Sequence, residues 1–91
     1  MICTLIGVER KNGDYNGRAY DNLQCYFITD LDSAESTGSR VLVPEQTKIK
    51  IADVPKIFKG VSTYHDVFGM IGTQFDVFFN EYKRLDSVLS L

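Results

Sequence analysis

The chain opens on alternation. In Ile2 to Val8, the residues Ile2, Thr4, Ile6 and Val8 fall on one side of an extended chain and Cys3 and Leu5 on the other, because successive strand side chains point to opposite faces. Both sides are largely apolar, so the pattern predicts a first strand with little solvent exposure. Arg10 to Ala19 is polar and holds Asn12-Gly13 and Asn16-Gly17, dipeptides that supply the positive φ of tight turns. A turn region is expected there. From Tyr20 to Thr29 the period of two returns, with Leu23, Cys25 and Phe27 alternating with Gln24, Tyr26 and Ile28, and it predicts a second strand.

An acidic loop with Ser, Thr and Gly, Asp30 to Ser39, leads to a third strand. Arg40 to Val43 reads as extended, and Pro44, lacking an N–H for a ladder, marks an edge or a bulge. Thr47, Ile49 and Ile51 then alternate with Lys48 and Lys50, so one face is apolar and the other cationic. The period changes next. Asp53 ahead of Pro55, Lys56, Ile57 and Phe58 predicts a short helical turn ended by Gly60. Thr63-Tyr64-His65-Asp66 has the form of a capping pair before Val67, Phe68, Met70 and Ile71, with Gly72 as the stop. Strand alternation resumes with Phe75, Val77 and Phe79 against Gln74, Asp76 and Phe78. Asn80 to Lys83 makes a turn, and Leu85 to Leu91 completes a hairpin with Leu85, Ser87, Leu89 and Leu91 on one face.

The resulting order, β-β-β-α-β-β, predicts a mainly β fold: a five-stranded OB-fold-like Greek-key barrel with a short helical segment between strands three and four. An SH3-like barrel and a split α+β sheet are the alternatives. The expected core is Ile6, Val8, Leu23, Cys25, Phe27, Ile49, Phe75, Val77 and Leu89. No repeat, linker or change of composition divides residues 1–91, so one domain is expected.

Composition narrows the function classes. A hydrophobic content of 44% is that of a folded chain. Two cysteines and one histidine offer neither a disulfide framework nor metal-ligand spacing, and no cofactor is expected. His65 reads as a helix-start residue, the carboxylates form no acid–base pair and the glycines no phosphate loop, so enzymatic chemistry is not expected. The apolar start is too short for a signal-peptide core and no stretch approaches the ~20 apolar residues of a membrane span. A soluble, cytoplasmic protein is expected, with no membrane partner. The net charge of −2 opposes nucleic acid at first sight. Its distribution matters more: Asp30, Asp32 and Glu35 share one loop, whereas the cations gather at strand ends and on one strand face.

The stretch RKNGDYNGRAYDNLQCYF, from Arg10 to Phe27, interleaves Arg10, Lys11 and Arg18 with Tyr15, Tyr20 and Tyr26. Cations neutralise a phosphate backbone while any unpaired base stacks on an aromatic ring, so this is chemistry suited to single-stranded nucleic acid. The expected binding residues are Lys11, Tyr15, Arg18, Tyr20 and Tyr26. Lys48 and Lys50 join them from the third strand, and Tyr82, Lys83 and Arg84 from the last turn. Each has a plainer use: strand tyrosines pack on pleated surfaces, strand lysines keep an edge from pairing, and charges at a turn are simply solvated.

Gly17-Arg18-Ala19-Tyr20, followed by Leu23-Gln24-Cys25-Tyr26, resembles the G-K-x-Y and L-C-Y hairpin of the single-stranded DNA-binding proteins of filamentous bacteriophages. The resemblance implies a small homodimeric oligonucleotide-binding barrel that coats single-stranded intermediates, with Arg18, Tyr20 and Tyr26 on the DNA. The chain differs from that pattern in the closer spacing of the two motifs, the acidic loop and the helical segment before the last hairpin. Two functions are therefore expected to compete. One is single-stranded DNA binding, with RNA open, in the replication or transfer of a phage, plasmid or other mobile element. The other is a protein-interaction β-barrel, a small subunit or adaptor, to which Phe78 at its out-of-phase position would contribute.

Overall fold

The alternating segments assemble into a mainly β structure: the computed structural model describes residues Met1–Leu91 as a six-stranded antiparallel sheet with short helical segments. β1 (Ile2–Tyr15) and β2 (Arg18–Asp30) form one long hairpin. β3 (Ser39–Val41) and β4 (Lys48–Lys50) both pair with β2, while β5 (Gln74–Phe79) and β6 (Leu85–Ser90) form a second hairpin held to the start of β1. Between β4 and β5 lie α1 (Val54–Ile57) and α2 (His65–Phe68). No helix is long and apolar enough to cross a membrane.

The strand order is β3-β2-β1-β5-β6, with β4 also on β2. Its two ends do not pair, so the sheet stays open and the expected closed five-stranded barrel is not formed. The expected third strand is divided because Pro44 starts a 3-10 turn, Pro44–Gln46. Leu42 N–H still donates to Phe27 O (2.9 Å), but the chain bonds β2 again only where Cys25 N–H donates to Thr47 O (3.2 Å). At the opposite end, Phe58 makes a parallel bridge with Val88 and so covers part of the β6 edge.

The core lies on one side of the sheet under the helical segments. Phe27, Phe58 and Phe75 meet there, with ring centroids 5.8 to 6.4 Å apart and two of the three pairs edge-on. Cys3, Leu5, Leu23, Cys25, Leu42, Ile49, Val54, Val61, Val67, Val77, Leu85 and Val88 complete it. Six of the nine expected core residues are buried. Val8 is partly buried at the edge of the cluster, and Ile6 (46% exposed) and Leu89 (38% exposed) are not core at all.

Both corrections have one cause, a β-bulge. Leu5 pairs with Phe27, yet the next pair is Gly7 with Tyr26, so Ile6 is an extra residue that faces solvent. In β6, Phe78 pairs with Ser87 but Phe79 with Leu85; Asp86 is the extra residue, and Leu85 and Val88 become the buried pair in place of Leu89. The expected turn region from Arg10 to Ala19 is also corrected. The ladder continues to Tyr15 opposite Arg18, and only Asn16 (φ 51°) and Gly17 (φ 77°) turn the chain, the two positive φ values of the tight hairpin turn that suits twisted strands. Asn12-Gly13 lies within the strand. The hairpin therefore continues as an arm beyond the core, and the molecule measures 48 × 29 × 23 Å.

Gly60 and Gly72 both turn the chain at φ 92°, but the helices stop before them: α1 ends at Ile57 with Phe58 already extended, and α2 ends at Phe68 with Gly69 after it, so Met70 and Ile71 lie in the turn beyond the helix. The capping pair is half formed: Asp66 Oδ2 accepts from the N–H of Ser62 (3.0 Å) and Thr63 (3.2 Å). Those bonds hold the Asp66 carboxyl below its ordinary pKa.

Candidate nucleic-acid interface

Directly paired residues of a sheet share a side, so the register states what faces what. Along the arm, Tyr15 lies beside Arg18, Gly13 beside Tyr20, Lys11 beside Asn22, Glu9 beside Gln24 and Gly7 beside Tyr26. β4 adds Lys50 beside Asn22 and Lys48 beside Gln24. Ile49 pairs with Leu23 in the core, so these other pairs look the opposite way. Seven of the ten expected residues, Lys11, Tyr15, Arg18, Tyr20, Tyr26, Lys48 and Lys50, thus occupy one side of β1, β2 and β4.

The bulge is what makes this possible. Before it, the odd-numbered residues of β1, Cys3 and Leu5, face the core. After it, the odd-numbered residues Glu9, Lys11 and Tyr15 face outward with the even-numbered residues of β2.

The two strand tyrosines lie across glycines of the neighbouring strand. A Cβ on Gly13 would come within 3.0 Å of the Tyr20 hydroxyl oxygen, and one on Gly7 within 3.3 Å of Tyr26 Cδ2. Each ring consequently covers bare backbone on one side. Tyr26 is half-buried and donates from its hydroxyl to Glu9 Oε1 (2.6 Å), which also takes Lys11 Nζ at 3.3 Å. The hydrogen bond from Tyr26, then that from Lys11, holds Glu9 below its ordinary pKa, and the same contacts raise Tyr26 and Lys11. Arg18, Lys48 and Lys50 form no ion pair. These three are the cations with no anionic partner on this side, whereas Lys11 shares its charge with Glu9.

No protein-family model, curated protein or solved structure matches the chain. The chemistry of the surface therefore rests on its own geometry.

An open groove of about 710 Å³ runs between the arm and the 3-10 turn, lined among others by Tyr15, Arg18, Tyr20, Lys48, Pro44 and Glu45. Asn22 and Gln24 also line it; neither was expected as a site residue, though both share the phase of Tyr20 and Tyr26 along β2. Tyr82, Lys83 and Arg84 stand apart on the β5–β6 turn, where Asn80 Oδ1 accepts from the N–H of Tyr82 (2.9 Å) and Arg84 (3.1 Å). Tyr82 is 75% exposed. Arg84 approaches the groove: its Nη1 donates to Glu45 O at 2.6 Å and ties that turn to the groove wall.

Arg10, the remaining cation of the stretch, points to the other side of the arm. Its Nε and Nη2 donate to both carboxylate oxygens of Asp21 (2.8 and 2.6 Å), its Nη1 donates to the Tyr64 hydroxyl (2.7 Å), and it sits 4.9 Å from the Tyr64 ring centroid. It is a strut between the arm and the segment before α2. Both cysteines are buried, and burial pushes the Cys25 thiol up to about 12 and raises Cys3 as well. They are packing groups.

Proposed function

We propose that the protein binds single-stranded DNA along the outward side of β1, β2 and β4, in the replication or transfer of a phage, plasmid or other mobile element. The observation that carries the reading is the convergence of stacking rings and unpaired cations on that one side. Tyr15, Tyr20 and Tyr26 offer aromatic faces at intervals along the hairpin, and Arg18, Lys48 and Lys50 lie among them for phosphates. The charge distribution supports it as well. Asp30, Asp32 and Glu35 follow the far end of β2, about 40 Å from Arg18 at ~3.3 Å per residue, so the net charge of −2 does not describe the arm.

We also read the fold as an oligonucleotide/oligosaccharide-binding barrel left open at one seam. Taking β3 and β4 as one interrupted strand gives five strands in a continuous path, with the helical segments between the third and fourth. Such barrels are partly open and bind ligand on the face of strands two and three and in the loops joining strands one to two and four to five. In this chain those places are the β2–β4 face, the Asn16-Gly17 tip and the turn bearing Tyr82, Lys83 and Arg84. The resemblance to the filamentous-phage proteins accords with this reading and extends it to a homodimer.

A titration of the protein with fluorescently labelled oligothymidine at low salt tests it. Four cations on the surface give an expected log–log salt slope of up to about −3, at about 0.7 per phosphate contact. Absence of binding at low salt overturns the reading. The second reading, a protein-interaction domain, is favoured by one observation: Ile2, Ile6, Val41, Phe78 and Leu89 are exposed on the non-core side of the sheet. Binding to a partner through them would hardly weaken as salt rises.

A further inference from the structure

Gln24 is the one groove residue that is polar, buried (4% exposed) and fixed in orientation. The two N–H groups of its side-chain Nε2 are shared among three acceptors, Pro44 O (2.9 Å), Cys25 O (3.1 Å) and Thr47 Oγ1 (3.1 Å). The Thr47 hydroxyl spends its proton on Cys25 O (2.6 Å) and can only accept from Gln24. Three acceptors around one atom settle which end of the amide is nitrogen, because a flipped amide would set oxygen against oxygen. The carbonyl oxygen Oε1 accepts from no protein group, and no buried side-chain oxygen or nitrogen in the chain lacks a partner. Oε1 therefore reaches solvent, and the groove is the open surface that Gln24 lines.

We propose that this groove takes one unpaired nucleobase by its hydrogen-bonding edge, with Gln24 Oε1 accepting from an N–H of that edge. The inference rests on the nucleic-acid reading above and adds to it the reason for preferring a single strand. Thymine and guanine offer a ring N–H on that edge, and adenine and cytosine an exocyclic amine, so an acceptor answers all four bases. In a duplex the partner base occupies these donors. A phosphate is disfavoured against Oε1 itself, oxygen to oxygen, while Lys11, Arg18 and Lys48 on the same groove wall serve the backbone. Tyr20 lines the same groove four residues along β2, with a ring for a neighbouring base, and Asn22, between Tyr20 and Gln24, carries an amide able to give or accept. The volume lies within the ~300–1,000 Å³ typical of small-ligand sites.

The test compares an oligothymidine of about eight nucleotides, a length within the site size of such surfaces, with its fully N3-methylated counterpart. Methylation removes the edge N–H and leaves rings and phosphates in place. Wild-type protein is expected to bind the methylated strand about five- to tenfold more weakly, the loss of one hydrogen bond. Gln24→Met, checked for folding by circular dichroism, is expected to bind both strands equally. In wild type, the Gln24 side-chain carbonyl ¹³C resonance is expected to move with oligothymidine and to stay with the methylated strand, a readout that does not depend on the variant. Equal binding of both strands by wild type, discrimination retained by a folded Gln24→Met, or a silent Gln24 resonance overturns the proposal while leaving nucleic-acid binding standing. Failure of wild type to bind either strand overturns the reading beneath it.

Discussion

The two halves of the β1–β2 hairpin are one ladder with two different supports. In the half that holds Cys3, Leu5, Cys25 and Phe27, one side of the ladder is buried against the helical segments and a second hairpin pairs along β1. Apolar burial holds that half, at roughly 25 cal/mol per Å² removed from water. In the arm, from Glu9 to Gln24, β1 pairs with β2 alone and most side chains are exposed. What holds the arm is the Asn16-Gly17 turn, the Tyr20 ring laid over Gly13, the pairing of β4 with Asn22–Gln24 at its base, and the Arg10–Asp21–Tyr64 strut. The lesson is that Tyr15, Arg18, Lys48 and Lys50 are free of packing duty because other features brace the backbone, whereas Tyr20 and Tyr26 belong both to the surface and to its bracing.

That contrast is most strongly tested by Phe75→Ala. Phe75 is in edge-on contact with both Phe27 and Phe58, so its loss is expected to destabilise the fold by about 3–5 kcal/mol. A chemical denaturation curve checks it, and an unchanged midpoint would remove Phe75 from the core. On the arm, Tyr20→Ala is expected to weaken oligothymidine binding about five- to 150-fold, the loss of one base–aromatic stack. Tyr15→Ala is expected to do the same or somewhat less, with its denaturation midpoint within about 0.5 kcal/mol of wild type because Tyr15 is 73% exposed. Two folded alanine variants that bind like wild type would return the arm to a merely structural role.

Replacing Lys48 and Lys50 together by alanine is expected to lower the salt slope by up to about 1.4 with folding nearly unchanged. If affinity and slope both stay put, β4 is off the DNA path. Acid separates the halves more gently. Arg10 holds the Asp21 carboxyl below its ordinary pKa, and Tyr26 does the same for Glu9. Depressed carboxylates contribute stability above their unfolded values near pH 4 and lose it as pH falls through the lower folded ones. Hydrogen-exchange protection factors, which correct for the slower intrinsic exchange in acid, are therefore expected to fall in the arm at acidic pH before they do in the core strands; simultaneous loss of protection would mean that these contacts do not brace the arm. The smallest effect belongs to Tyr15→Phe, expected to be silent in binding because stacking needs the ring and no hydrogen bond of the hydroxyl is present.

Much of this was legible in the chain. The inward set Leu23, Cys25 and Phe27, the cationic side of Lys48 and Lys50, and the turn glycines Gly60 and Gly72 follow from period and turn chemistry alone. The arm was harder to read, because Arg10 to Ala19 is polar on both sides and a ladder with neither side buried leaves no apolar alternation. Asn12-Gly13 and Asn16-Gly17 look equally able to turn, and the cross-strand partner decides between them: Gly13 is needed where the Tyr20 ring crosses. Ile6 and Leu89 fall outside the core because a bulge shifts phase by one residue without any polar marker. Gln24 was hidden for a related reason. Its burial depends on Pro44 and Thr47, which approach β2 only after the third strand has been interrupted.

The extra residue at Ile6 has a further consequence for how the arm can be altered. Because the shift in phase is set at the base of the arm, reach and display are separate properties. Inserting two residues in each strand beyond the bulge would carry the tip about 7 Å further out and keep every cation and ring on its present side. Inserting one residue in each would lengthen it by half as much and turn the distal surface inside out. The hairpin is in this sense an adjustable boom, whose length changes in even steps while the bulge keeps its orientation.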